Sequence, residues 1–234
     1  MMRAAVTAAL SVVGKPEQRE FNRIFPQTVN ANFDNSQNKI SFSAAIMQPP
    51  LYDIELPEYM NYGAWATIAG HEITHGFDPT GRIIDETGWF APPWDNKTSD
   101  EFNQRATCFV DQYNNYTWTS ANGTVFHGQG TTGVGENVAD AGGVESAYAV
   151  WKRRDMLNPA PKLPGLESFS NDQLFFIAHS RLWCEKLDDK ATIYTLLADE
   201  HAVGQFRTTA AMLNSREFLS AFNCPVKQPT CELW

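Results

Sequence analysis

The run His71-Glu72-Ile73-Thr74-His75 constrains this chain more than any other feature. It places two imidazoles four residues apart, with a glutamate beside the first. On a helix, side chains at i and i+4 share one face about one turn apart. Neutral imidazole is a good zinc ligand, so the pair can hold one tetrahedral ion from one side. Glu72 cannot comfortably join the same ligand set, but it can reach a zinc-activated water and act on it as a general base. A chance H-E-x-x-H in a chain of this length is on the order of one in a hundred, so the flanks decide. Trp65 to Gly70 is mostly apolar, and Gly76-Phe77 follows the run. A helix apolar nearly all round is a buried helix, which opposes the alternative of two surface histidines. Buried histidines require partners, and a metal is a strong one.

Two histidines leave a tetrahedral zinc site short of one protein ligand and one water. Gly135-Glu136-Asn137-Val138-Ala139-Asp140-Ala141-Gly142-Gly143 supplies a candidate. Glu136 and Asp140 are four apart, so both carboxylates can face one way on a second helix. Glu136 is the candidate third ligand. Asp140 is the candidate acceptor for the free N–H of a metal-bound imidazole, a bond that fixes the ring's tautomer and orientation. An isolated E-x-x-x-D is more often a solvated acidic face. Here the segment is otherwise small and apolar, and the two motifs support each other.

The remaining composition bounds the alternatives. The chain has 234 residues, 43% of them apolar, and suits one domain, 1–234, with a sizeable core. A net charge of −9 argues against a nucleic-acid partner, and no basic cluster exceeds Lys152-Arg153-Arg154. No apolar stretch is long enough to span a membrane. Thr28–Phe33 and Lys39–Ser43 predict a hairpin turning at Asp34-Asn35, a helix is expected near Asp100–Tyr113, and Asn158–Ser170 reads as a loop. Helices dominate the rest. Cys108, Cys184, Cys224 and Cys231 are spaced too irregularly for a zinc knuckle. With sequons at Asn96, Asn115 and Asn122 they favour an oxidising, secretory setting.

The segments HEITHGFD and GENVADAGG resemble the neprilysin and endothelin-converting-enzyme family of zinc metalloendopeptidases. Val29-Asn30-Ala31, Ile46-Met47-Gln48-Pro49-Pro50, Leu163-Pro164-Gly165-Leu166, Gln173 to Phe176 and the ending Cys231-Glu232-Leu233-Trp234 resemble further blocks of that family in the same order. The likeness runs from about Gly14 to Trp234. It implies an α+β, mostly helical, thermolysin-like zincin fold with a small early sheet, and one Zn²⁺ held by His71, His75 and Glu136. It implies that His201 hydrogen-bonds the oxyanion, that Arg207 binds a substrate carbonyl, and that Asp78 is a further partner of the ligand shell. Asn30 and Ala31 correspond to the strand along which an extended peptide lies. Ile46, Leu51, Ile68, Leu182 and Trp183 fall where the family lines an apolar pocket just after the scissile bond. The implied activity is hydrolysis of small peptides on the amino side of hydrophobic residues.

Two departures qualify the likeness. The family usually has an aromatic residue directly after V-N-A, where this chain has Asn32. Family members are also much longer, with a membrane anchor and a large helical domain ahead of the catalytic part, which restricts access to the cleft. Met1–Val13 superficially has the makings of a cleaved signal peptide. Gly14-Lys15-Pro16 resembles residues found inside longer members, so the start is expected to be the tail of a truncated preceding helix, with the N-terminal domain absent. The resemblance further implies a Cys108–Cys231 disulfide, with Cys184 and Cys224 lacking partners, and an extracellular or secretory location. The competing expectation is a truncated, inactive homologue that binds zinc or peptide without turnover.

Overall fold

The computed structural model describes residues 24–92 and 94–234, together with Thr7, Leu10, Ser11, Val13 and Gly14. Most of Met1–Val13, and with it the expected preceding helix, lies outside the described residues. Among the described residues the chain is mostly helical with two small antiparallel sheets. In order come β1 (Ala31–Asp34), β2 (Lys39–Phe42), α1 (Glu58–Asn61), a π turn (Tyr62–Ala66), α2 (Thr67–Thr74), α3 (Asn96–Asn114), β3 (Thr117–Thr119), β4 (Val125–His127), α4 (Val134–Leu157), α5 (Asn171–Leu182), α6 (Asp189–Ala198), α7 (Gly204–Leu213) and α8 (Arg216–Ala221). No helix among the described residues is long and apolar enough to cross a membrane.

Local chemistry sets most boundaries. Asp95 accepts from the Thr98 N–H, so α3 starts at Asn96, four residues before the sequence expectation. Ser170 and Gln173 form a reciprocal capping box at the start of α5. Asp188 and Ser215 are simple N-caps of α6 and α8, accepting the N–H groups of Ala191 and Phe218. Each such cap contributes about 1 kcal/mol. The early hairpin forms with Ala31 opposite Phe42 and Asp34 opposite Lys39, and turns through Asn38 in the left-handed region. The β3–β4 hairpin was not expected from sequence. Its strands are three residues each, and only Trp118 and Phe126 face inward, too short a pattern to register as alternation.

The largest core cluster joins α1, α4, α5 and α7 through Tyr59, Val144, Trp151, Leu174, Phe175 and Ala211. Trp151 is fully buried, and truncating such a side chain costs about 3–5 kcal/mol. A second cluster packs Phe102 and Phe109 of α3 on Val138 of α4 and on Leu233. The Cys108–Cys231 disulfide fastens that last segment to α3. Cys184 and Cys224 form no disulfide. A third cluster, around Tyr113, Leu196 and Phe206, seats α7 against α3 and α6.

Candidate metal centre

The site begins at the seam between α2 and α4. A methyl group on Gly70 would lie 2.4 Å from Ser146 Oγ, and one on Gly143 would lie 2.5 Å from the Thr67 carbonyl oxygen. Only hydrogen fits at both positions, so the two backbones approach more closely than ordinary helices allow. That approach brings His71 of α2 within reach of Asp140, one turn before Gly143 on α4. His75 stands at the C-cap of α2, and Glu136 in the first turn of α4.

His71 Nδ1 donates to Asp140 Oδ1 at 2.9 Å, and His75 Nδ1 donates to Asp78 Oδ2 at 2.8 Å. The other oxygen of Asp78 accepts the backbone N–H groups of Thr80 and Gly81, each at 2.7 Å. With each Nδ1 carrying the donated proton, both Nε2 atoms present lone pairs. They face each other at 3.0 Å. Glu136 Oε2 lies 3.2 Å from His71 Nε2, and Oε1 lies 3.5 Å from His75 Nε2. One ligand atom each from His71, His75 and Glu136 falls within 4.8 Å of the others. Glu136 Oε2 is buried and makes no hydrogen bond of good geometry among the described residues.

Two lone pairs and a carboxylate at these distances repel unless a cation lies among them, so the donor set fits a divalent metal. Two imidazoles and a carboxylate suit zinc. A proton can compete for the same place. Burial disfavours the imidazolium of His71, but Asp140 and Glu136 outweigh it and hold its pKa up to about 9. Burial also opposes ionisation of Glu136 and Asp140. The histidines around Glu136, and Arg207 with His71 around Asp140, nevertheless keep both carboxyls well below the usual carboxylate range.

Glu72, beside His71 on α2, is 5% exposed and accepts the backbone N–H of Phe33 on β1. Burial pushes its carboxyl up, against the opposing charges of His71 and His75. It lines a cleft of about 830 Å³ with His71, His75, Glu136, His201 and Arg207. Ile46, Leu51, Ile68, Leu182 and Trp183 line the same cleft. His201 stands across it, with Nε2 3.1 Å from Glu136 Oε2 and Nδ1 2.9 Å from Asp199 Oδ1.

Two residues sit differently from a simple substrate contact. Arg207 is buried, and two of its three nitrogens, Nε and Nη2, donate to Asp140 at 2.7 and 2.6 Å. Its guanidinium lies under the Trp183 ring, 3.7 Å from the centroid. Asn30 and Ala31 border the cleft, but Asn30 Oδ1 already accepts the Ala31 N–H at 3.0 Å. Sequence reasoning missed Asp199, whose carboxylate accepts from both the ring and the backbone N–H of His201. The only available signal was its place two residues before that histidine.

Residues 30–232 match peptidase family M13. The chain is 40% identical over 215 residues to the endothelin-converting enzyme homolog of Locusta migratoria, a match covering 89% of this chain and 29% of that protein. It is 36% identical over 224 residues to neprilysin-11 of Caenorhabditis elegans, covering 93% and 26%. Among solved structures, the inhibitor complex of the Mycobacterium tuberculosis zinc metalloprotease ZMP1 superposes with a TM-score of 0.86 at 31% identity. That match covers 97% of this chain and 34% of the other. The chain thus spans about a third or less of the length of these relatives. The matched span and the shared fold show that the chain belongs to peptidase family M13.

Proposed function

We propose that this chain is the catalytic part of a zinc-dependent endopeptidase acting on small peptides. The observation that supports it most is the convergence of His71 Nε2, His75 Nε2 and Glu136 in the cleft that Glu72 also lines. His71, His75 and Glu136 would hold one zinc ion per chain, with Asp140 and Asp78 fixing the two imidazoles. Bound there, zinc supplies a Lewis acid that acidifies water and polarises a carbonyl.

The chain's own residues do the rest. Glu72 accepts the proton of the attacking water, its basicity raised by burial, and passes it to the leaving amine. His201, its imidazolium favoured by Glu136 and Asp199, donates its Nε2–H to the carbonyl oxygen as negative charge develops there. Arg207 has Nη1 left for a substrate carbonyl once Asp140 has taken its other two nitrogens. The β1 segment bordering the cleft and the Asn30 side-chain amide would align an extended peptide, as an added strand does. Ile46, Leu51, Ile68, Leu182 and Trp183 give the cleft an apolar wall, which suits a hydrophobic side chain on the amine side of the cut.

The exposed sequon residues Asn96, Asn115 and Asn122 and the Cys108–Cys231 bridge suit a secreted or extracellular glycoprotein. A second reading is zinc or peptide binding without turnover. Incubating the purified chain with hydrophobic peptides, with and without a chelator, separates the two. Chelator-sensitive cleavage before apolar residues is expected. Peptide binding with no cleavage at any zinc level would favour the second reading.

A further inference from the structure

His179 lies on α5, is 2% exposed, and belongs to none of the motifs above. Its two nitrogens have defined roles. The Thr67 hydroxyl donates to the Ala64 carbonyl at 2.7 Å, with the Gly63 carbonyl at 3.2 Å, so its oxygen faces His179 as an acceptor. His179 Nδ1 therefore donates to it, at 3.2 Å. That leaves Nε2 bare, and it accepts the indole N–H of Trp183 at 3.3 Å. Burial holds the ring's pKa down to about 4, so at neutral pH the accepting lone pair is kept.

Trp183, at the C-cap of α5, is where this buried pair meets the cleft. The indole face covers the Arg207 guanidinium at 3.7 Å. A cation over an indole face is attracted by the ring's quadrupole. Arg207 in turn grips Asp140, and Asp140 accepts from His71. A satisfied core histidine would end at Trp183. Here the anchored ring is itself a wall of the cleft and the roof over the one cation that borders it from α7.

We propose that His179 is a positioning residue for the cleft: by accepting the Trp183 indole N–H it fixes the ring over Arg207, and so sets the wall and the guanidinium that meet the substrate. This rests on the peptidase reading for its kinetic consequence, but not for the hydrogen bond itself.

Two readouts test it on the purified chain. The Trp183 indole N–H signal in a ¹⁵N spectrum is assigned by its loss in Trp183→Phe. In His179→Phe its solvent exchange should rise roughly three- to tenfold, the loss of one hydrogen bond. In His179→Gln, whose side-chain oxygen can replace the acceptor, it should stay near the parent rate. With a hydrophobic peptide substrate, His179→Phe should raise KM roughly three- to tenfold, leave kcat within about twofold, and leave zinc content unchanged. His179→Gln should restore KM, and Trp183→Phe, which keeps the ring but loses the N–H, should reproduce the rise. Unchanged indole exchange in His179→Phe would overturn the proposal, as would parent-like KM in both His179→Phe and Trp183→Phe. If His179→Phe fails to fold, Trp183→Phe decides: a KM raised roughly three- to tenfold supports the proposal, and a parent-like KM overturns it. If no form of the chain cleaves peptide, the peptidase reading fails while the exchange measurement still judges His179.

Discussion

The two sides of the cleft are built on different physics. On one side, His71 is held by Asp140, itself gripped by Arg207, within a seam where Gly70 and Gly143 let two helices touch. The Asp140 side chain is 4% exposed. On the other side, His201 sits on the segment between α6 and α7 and is held by Asp199, with side chains 40% and 39% exposed. A charge pair in the dry seam interacts far more strongly than one at the wet rim, but removing one partner there strands the other without water. The seam therefore suits a fixed ligand set. The rim suits a donor that must admit and release substrate.

The contrast can be broken at the seam first. His75→Phe or Glu136→Val deletes a ligand and should abolish stoichiometric zinc by elemental analysis. Full zinc retention by both variants would remove the assigned site. Asp140→Ala should weaken zinc about 10–100-fold by freeing the His71 ring. It should also destabilise the fold by about 3–5 kcal/mol, because Arg207 is left buried without its anion. Zinc titration and denaturant unfolding check both effects, and parent-like values would show that the seam is not a coupled unit. Asp199→Ala, at the rim, should lower kcat less than about tenfold and leave zinc affinity and stability within about 0.5 kcal/mol of the parent. A loss of zinc in this variant would erase the distinction between the two sides.

What the sequence disclosed follows the same division. His71, His75, Glu136 and Asp140 were legible because spacings of four turn directly into a shared helix face. The early hairpin was legible from its alternation and turn residues. His201 and Arg207 were found only through resemblance, since a histidine in a polar segment has no local pattern to mark it. The pairing of Arg207 with Asp140 spans 67 residues, and that of His179 with Thr67 spans 112. Tertiary packing makes such contacts, and periodicity carries no trace of them. The same holds for Gly70 and Gly143, whose role appears only when the partner helix is in place.

Glu72→Gln probes the central claim most directly, with zinc content and peptide turnover measured on one preparation. The amide leaves the three ligands untouched but cannot accept the water's proton. One equivalent of zinc should remain while turnover falls by about 10²–10⁴-fold. A zinc-loaded variant that cleaves peptide as fast as the parent would contradict the assignment of Glu72 as the base.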